Sequence, residues 1–310
     1  MALPLGFRVT HGLTLAAHRL GRLPGVEALT TTPVEVRRAQ QPPRWALRRP
    51  RRDVQRENRS VTSRGADVPV RIYRSANPSG RAMVYIHGGG FVMGGLDACD
   101  HICADLAALT GDVIVSVDYR LAPEDPFPAG LDDCEDVLRW VSAQAGTLSI
   151  DPTCITVAGD SAGGNLSIAL ALRLRDEGGP TISRLVSIYP MLDLTCSRDS
   201  WVSEAAPYMN RERALSAVAY YHGEASAKDP LVSPLFADDL RGLPPTLVLT
   251  AEHDTLRCDG EEFVQMLADA GVAVRHTQFR RMPHGFLSLP RLASAYDQAL
   301  WEITAHVRQG

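Results

Sequence analysis

Ile155-Thr156-Val157-Ala158-Gly159-Asp160-Ser161-Ala162-Gly163-Gly164-Asn165-Leu166 is the stretch on which the fold turns. A β-branched run ends at Ala158 and a helical pattern follows through Arg175, so the serine falls on a sharp strand-to-helix turn. Such an elbow holds a serine in a strained conformation, and small residues two positions to either side, Gly159 and Gly163, let the chains pack close enough to keep it there. The helix behind aims its N-terminal amides at the serine, which makes the Ala162 N–H a candidate donor to an oxyanion.

Outward from the elbow the same rhythm repeats. Short apolar runs at 68–73, 82–87, 113–118, 185–189, 246–251 and 272–279 alternate with helical patterns at 97–109, 131–145, 163–176, 259–270 and 292–307. This alternation predicts an α/β protein with a mostly parallel sheet covered by helices on both faces. One strand-helix-strand unit ahead of the serine lies His87-Gly88-Gly89-Gly90, whose glycines leave backbone amides open to an approaching acyl oxygen. Gly88 and Gly89 are the expected further oxyanion donors.

A serine at its free pKa is a weak nucleophile, and in this chain order an acid and then a histidine are expected after it. Asp254 follows the run at 246–251, and His284 follows the run at 272–279, both where the carboxyl ends of parallel strands gather a site. Glu252 and Asp259 are rival acids, read as structural because one belongs to a strand end and the other to a helix start.

The chain of 310 residues, 45% apolar and 22% charged, has the composition of a globular protein. A net charge of -4 provides no global field for nucleic acid or an anionic membrane. Nine arginines between Arg37 and Arg59, against Asp53 and Glu57, read as a solvated face or linker, since only Trp45 interrupts them with an aromatic ring. No apolar stretch reaches the 18 residues of a membrane span, and the N-terminus lacks the pattern of a secretory signal, so a cytoplasmic protein is expected. Six scattered cysteines make no disulfide framework. Cys99-x-His101-x-Cys103 is not read as a metal site, because on a helix only its two cysteines share a face.

The segments His87–Phe91, Asp118-Tyr119-Arg120-Leu121-Ala122-Pro123-Glu124, Gly159–Gly164, Ala251–Arg257 and His284-Gly285-Phe286 together resemble the hormone-sensitive-lipase-like group of α/β-hydrolase esterases, from about Val68 to the C-terminus. The resemblance implies a catalytic domain at 67–194 and 244–310. It further implies a helical cap built from residues 1–66 and the insertion 195–243, and possible pairing of two copies through 272–307. It implies Ser161 as nucleophile, Asp254 and His284 as its partners, Gly88, Gly89 and Ala162 as oxyanion donors, and small to medium acyl esters as substrates, with no cofactor or metal. One departure stands out: Arg257-Cys258-Asp259-Gly260 replaces the usual Arg-Asp-Glu-Gly, which puts a local hydrogen bond in doubt. Tyr119, Arg120 and Glu124 read as a turn that braces the site. Phe91, Met93, Trp201, Tyr208, Tyr220 and Tyr221 are candidates for an acyl or alcohol pocket, and equally for cap core. Two alternatives share the fold. One is a non-catalytic small-molecule receptor, as in the plant gibberellin receptor, which lacks the working histidine; the other is lactone or amide hydrolysis or acyl transfer by the same triad.

Overall fold

In the computed structural model, residues 6–8, 32–39, 42–203 and 211–309 are described. Eight strands form one sheet: β1 Val54–Ser63, β2 Ala66–Ser75, β3 Ala82–Ile86, β4 Val113–Val117, β5 Ile155–Asp160, β6 Arg184–Ile188, β7 Thr246–His253 and β8 Val274–Pro283. Their order is β1-β2-β4-β3-β5-β6-β7-β8, with β1 and β2 antiparallel to their neighbours and every other pairing parallel.

The central strands read as unbroken apolar runs because both faces are covered. In β3, Met83 and Tyr85 face one core with Ile102, Leu106, Tyr296 and Ile303 of helices α2 (Asp100–Thr110) and α7 (Tyr296–Val307). Val84 and Ile86 face the other, with α3 (Ala129–Ala143), α4 (Ala162–Glu177) and α6 (Arg257–Asp269). Helix α4 has no exposed face until its last turn. It is buried on all sides from Ala162 to Leu174, as a helix must be when it packs on the sheet with other elements over its back.

The boundary expected at residue 66 falls inside a hairpin. β1 pairs with β2 from Val54↔Ser75 to Ser63↔Ala66 around the two-residue turn Arg64-Gly65, both residues at positive φ (43° and 89°). That is the hairpin turn whose twist matches the strands. Residues 54–63 thus belong to the sheet, and only the chain before them remains for a cap. The insertion carries the short helix Ser200–Ser203 and helix α5 (Arg211–His222). The short helix α1 (Val34–Arg38) precedes the sheet. Among the described residues no helix is long and apolar enough to cross a membrane.

Candidate active site

Ser161 stands between β5 and α4 at φ 56°, ψ -116°, a conformation a side chain normally avoids. The turn survives because its neighbours have no side chains. A Cβ on Gly163 would come 2.0 Å from the Ile86 carbonyl oxygen, and one on Gly159 would come 2.3 Å from that of Gly163. The Ser161 N–H donates to the Ile188 carbonyl at 2.8 Å, tying the elbow to β6.

The loops after β7 and β8 bring the predicted acid and base to it. Ser161 Oγ lies 2.9 Å from His284 Nε2, and His284 Nδ1 lies 2.9 Å from Asp254 Oδ2. Asp254 is fully buried, and its other oxygen accepts the Leu256 N–H at 2.9 Å. Burial alone pulls the imidazole of His284 down, but the charge and hydrogen bond of Asp254, with a smaller push from Asp160, leave its pKa above the ordinary histidine value. The ring of Tyr189 meets that of His284 edge to face at 5.0 Å between centroids. The rival acids are engaged elsewhere. Glu252 accepts the Arg281 N–H at 2.6 Å, and Asp259 accepts those of Leu192 and Asp193 at 2.9 and 3.0 Å. The shorter acid at position 259 therefore still makes hydrogen bonds to the backbone.

The glycine run corrects one expectation. The Gly88 N–H donates to Asp160 Oδ1 at 3.1 Å and is therefore not free for a substrate oxygen. Each neighbouring plane is held from behind. The Tyr119 hydroxyl donates to the His87 carbonyl at 3.0 Å, His87 Nδ1 lies 2.7 Å from the Gly88 carbonyl, and the Val92 and Met93 amides donate to the Gly89 carbonyl at 3.2 and 3.1 Å. In a trans peptide the carbonyl and the N–H of one plane point opposite ways, so these bonds turn the Gly89 and Gly90 N–H groups away from the loop. Neither has a protein acceptor among the described residues. The Ala162 N–H, at the first position of α4, has no acceptor within the helix. The open pair of glycine amides is thus Gly89 and Gly90, one residue later than Gly88 and Gly89. A Cβ on Gly89, at φ 129°, would strike the Met93 carbonyl oxygen at 2.0 Å. His87 is fully buried, stacks on Tyr119 at 4.4 Å, and burial pulls its imidazole down to about 4. It is neutral at neutral pH, and because a carbonyl can only accept, its proton sits on Nδ1.

The pocket candidates divide. Phe91 is 1% exposed and stacks on Tyr221 of α5 at 3.7 Å, so it is packing between the glycine loop and the insertion rather than pocket wall. Trp201 is buried, Met93 and Tyr220 are half-buried, and Tyr208 lies outside the described residues. Tyr119, Arg120 and Glu124 brace the loop as expected: Arg120 grips Asp133 at 2.8 Å, and Glu124 pairs with Arg37. Cys99 turns toward Ser116 Oγ at 3.2 Å, while His101 Nε2 donates to the Leu287 carbonyl at 2.9 Å. No group of three or more candidate metal ligands gathers among the described residues.

Residues 83–288 match the family model described as the α/β hydrolase fold. The chain is 40% identical to a carboxylesterase (NlhH) of Mycobacterium tuberculosis over 78% of this chain and 79% of that protein. It is 35% identical to an ethyl acetate hydrolase of Pseudomonas putida over 81% of each. Among solved structures, an esterase of Pyrobaculum calidifontis superposes with a TM-score of 0.79 at 38% identity, over 82% of this chain and 85% of that one. An arylesterase superposes with 0.85 at 28% identity over 99% of both. With this match, the serine elbow and the ordered sheet, the chain belongs to the α/β-hydrolase family, in its hormone-sensitive-lipase-like carboxylesterase group.

Proposed function

We propose that this protein is a serine carboxylic-ester hydrolase that works through an acyl-enzyme on Ser161. The observation that carries the reading is the pair of contacts through one imidazole ring, Ser161 Oγ to His284 Nε2 and His284 Nδ1 to Asp254 Oδ2, both at 2.9 Å. His284 takes the hydroxyl proton as Ser161 Oγ attacks the ester carbonyl carbon. The carbonyl oxygen becomes an oxyanion held by the N–H groups of Gly89, Gly90 and Ala162, and Asp254 steadies the imidazolium. The C–O bond to the alcohol breaks, and His284 gives that alcohol the proton. Water then attacks the acyl-enzyme with His284 again as base, releasing the acid and restoring Ser161.

Small to medium acyl esters are the proposed substrates, supported by a relative named for ethyl acetate and by the insertion seated against the glycine loop. Pairing of two copies through residues 272–307 and a cytoplasmic location belong to the same reading. The receptor alternative is disfavoured by the presence and contact of His284. The test is hydrolysis of a graded series of p-nitrophenyl esters by wild type beside Ser161→Ala. Turnover that vanishes in the variant and is greatest on short chains supports the reading. Equal turnover in both proteins, or activity confined to long-chain emulsions, counts against the nucleophile or the substrate class respectively.

A further inference from the structure

Arg37, on the short helix α1 that precedes the sheet, is the largest fully buried charged side chain among the described residues, and nothing in the triad explains it. Its guanidinium donates from Nη1 to the carbonyls of Val92 and Ala122, from Nη2 to Glu124 and from Nε to the Thr32 carbonyl. Its own carbonyl accepts the Gly94 N–H at 3.1 Å, and the Ala122 N–H returns to the Phe91 carbonyl at 3.0 Å. Every one of these contacts except those to Thr32 and Glu124 is to the backbone of the glycine loop or of the turn that braces it.

The order of the bonds gives the contact a direction. The Val92 carbonyl, which accepts from Arg37, shares a peptide plane with the Met93 N–H, which donates to the Gly89 carbonyl at 3.1 Å. The Gly89 carbonyl in turn shares a plane with the Gly90 N–H. Two peptide planes linked head to tail thus run from the buried guanidinium to the Gly90 amide, which has no protein acceptor among the described residues. Hydrogen bonds in such a chain polarise one another, and a cation at the acceptor end strengthens the last donor.

We propose that Arg37 is a positioning residue of the oxyanion hole, which orients and polarises the Gly90 N–H through the Val92–Met93 and Gly89–Gly90 peptides. The proposal rests on the esterase reading above. Its consequence is that helix α1 is part of the catalytic apparatus, although the side-chain partners of Arg37 among the described residues are Thr32, Val92, Ala122 and Glu124 and include no member of the triad.

The experiment compares wild type with Arg37→Lys, which keeps the charge, and Arg37→Gln, which keeps polar contact without it. Ser161→Ala serves as the control for the esterase reading. If wild type turns over esters and Ser161→Ala does not, that reading stands whatever Arg37 does. For Arg37→Gln, kcat on p-nitrophenyl acetate is expected to fall about 10²-fold with KM little changed, since the lost interaction acts on the oxyanion and not on the bound ester. The inhibition constant of a trifluoromethyl ketone, whose adduct places an oxyanion in the hole, should rise in parallel. That of a substrate-like amide should not. Arg37→Lys should recover part of both losses. Equal weakening of ketone and amide, or unchanged kcat in a folded variant, overturns the proposal and leaves Arg37 as a clamp on the N-terminal segment alone. Should Arg37→Gln fail to fold, Arg37→Lys decides alone: selective weakening of the ketone supports the proposal and parallel weakening overturns it.

Discussion

At the scale of single residues the site is governed by where one proton rests. His284 must be neutral to accept the Ser161 proton, and Asp254 holds its pKa above the usual histidine value. The rate constant kcat/KM should therefore fall as pH drops, with its midpoint above about 6.5, and a profile flat to pH 4 would remove His284 as the base. Replacing Asp254 by Asn takes away the charge that raises the imidazole and favours the wrong tautomer. A loss of about 10⁴ in kcat is expected, read from steady-state kinetics on a short ester. Gly89→Ala should cost about 10² to 10³ in kcat, because its Cβ meets the Met93 carbonyl oxygen and turns the donor plane. The three residues proposed as the triad, which the fold brings into hydrogen-bond distance, were legible in the sequence because each sits at a fixed place relative to a strand end. The donor pair was not. Whether Gly88 or Gly90 presents its amide depends on which carbonyls Tyr119, His87, Val92 and Met93 hold, and those partners come from distant parts of the chain or from a turn with no sequence signature.

At the scale of elements, the strands with two buried faces were readable from apolar runs alone, and β1 was not. Its burial alternates only at the ends, and Gln55 to Ser60 carry charged and polar side chains that read as loop. An edge strand facing water needs no apolar run, and this one is held by pairing to β2 and by side chains reaching helix α3. The Ser63 hydroxyl lies within hydrogen-bond reach of Asp133 and Asp136 at 3.0 and 2.8 Å, and Arg64 pairs with Asp132 and Glu135. The two-residue Arg64-Gly65 turn was its available signal. Gly65 sits at φ 89° with open space where a Cβ would go, so strain is the sole penalty of a side chain there. Gly65→Val should lower stability by about 1 to 2 kcal/mol in urea titration while leaving kcat/KM near wild type. A loss of activity at unchanged stability would instead link the hairpin to the site.

At the scale of the whole molecule, charge joins the parts. The arginine-rich segment pairs with acids of the catalytic domain: Arg38 with Asp118, Arg48 with Asp297, Arg51 with Asp105 and Arg56 with Asp100. What reads in sequence as a solvated basic stretch is a strap, and the acids it meets lie up to 249 residues away, so no local pattern announces them. A second junction ties the insertion to the sheet. Asp193, near the start of the insertion, is held ionised against its own burial by Ser197, Thr195 and Arg198. Asp259, on α6 behind the triad acid, is fully buried. Its burial, with the nearby Asp193 charge, outweighs two amide donors and pushes its pKa up to about 8, and its second oxygen has no hydrogen-bond partner among the described residues. Asp259 is therefore protonated in the folded chain over a range where the unfolded chain has lost that proton, from about pH 4 upward. The unfolded state then binds fewer protons, so this group's contribution to stability is complete below pH 4 and declines as pH rises toward 8. Asp259→Asn keeps an oxygen for the Leu192 and Asp193 amides and removes the titration. The difference in Tm between variant and wild type should move in the variant's favour by a few degrees from pH 4 to pH 8. Parallel Tm curves across that range would mean that Asp259 is ionised in the folded protein, and that the turn opening the insertion is held by a carboxylate after all.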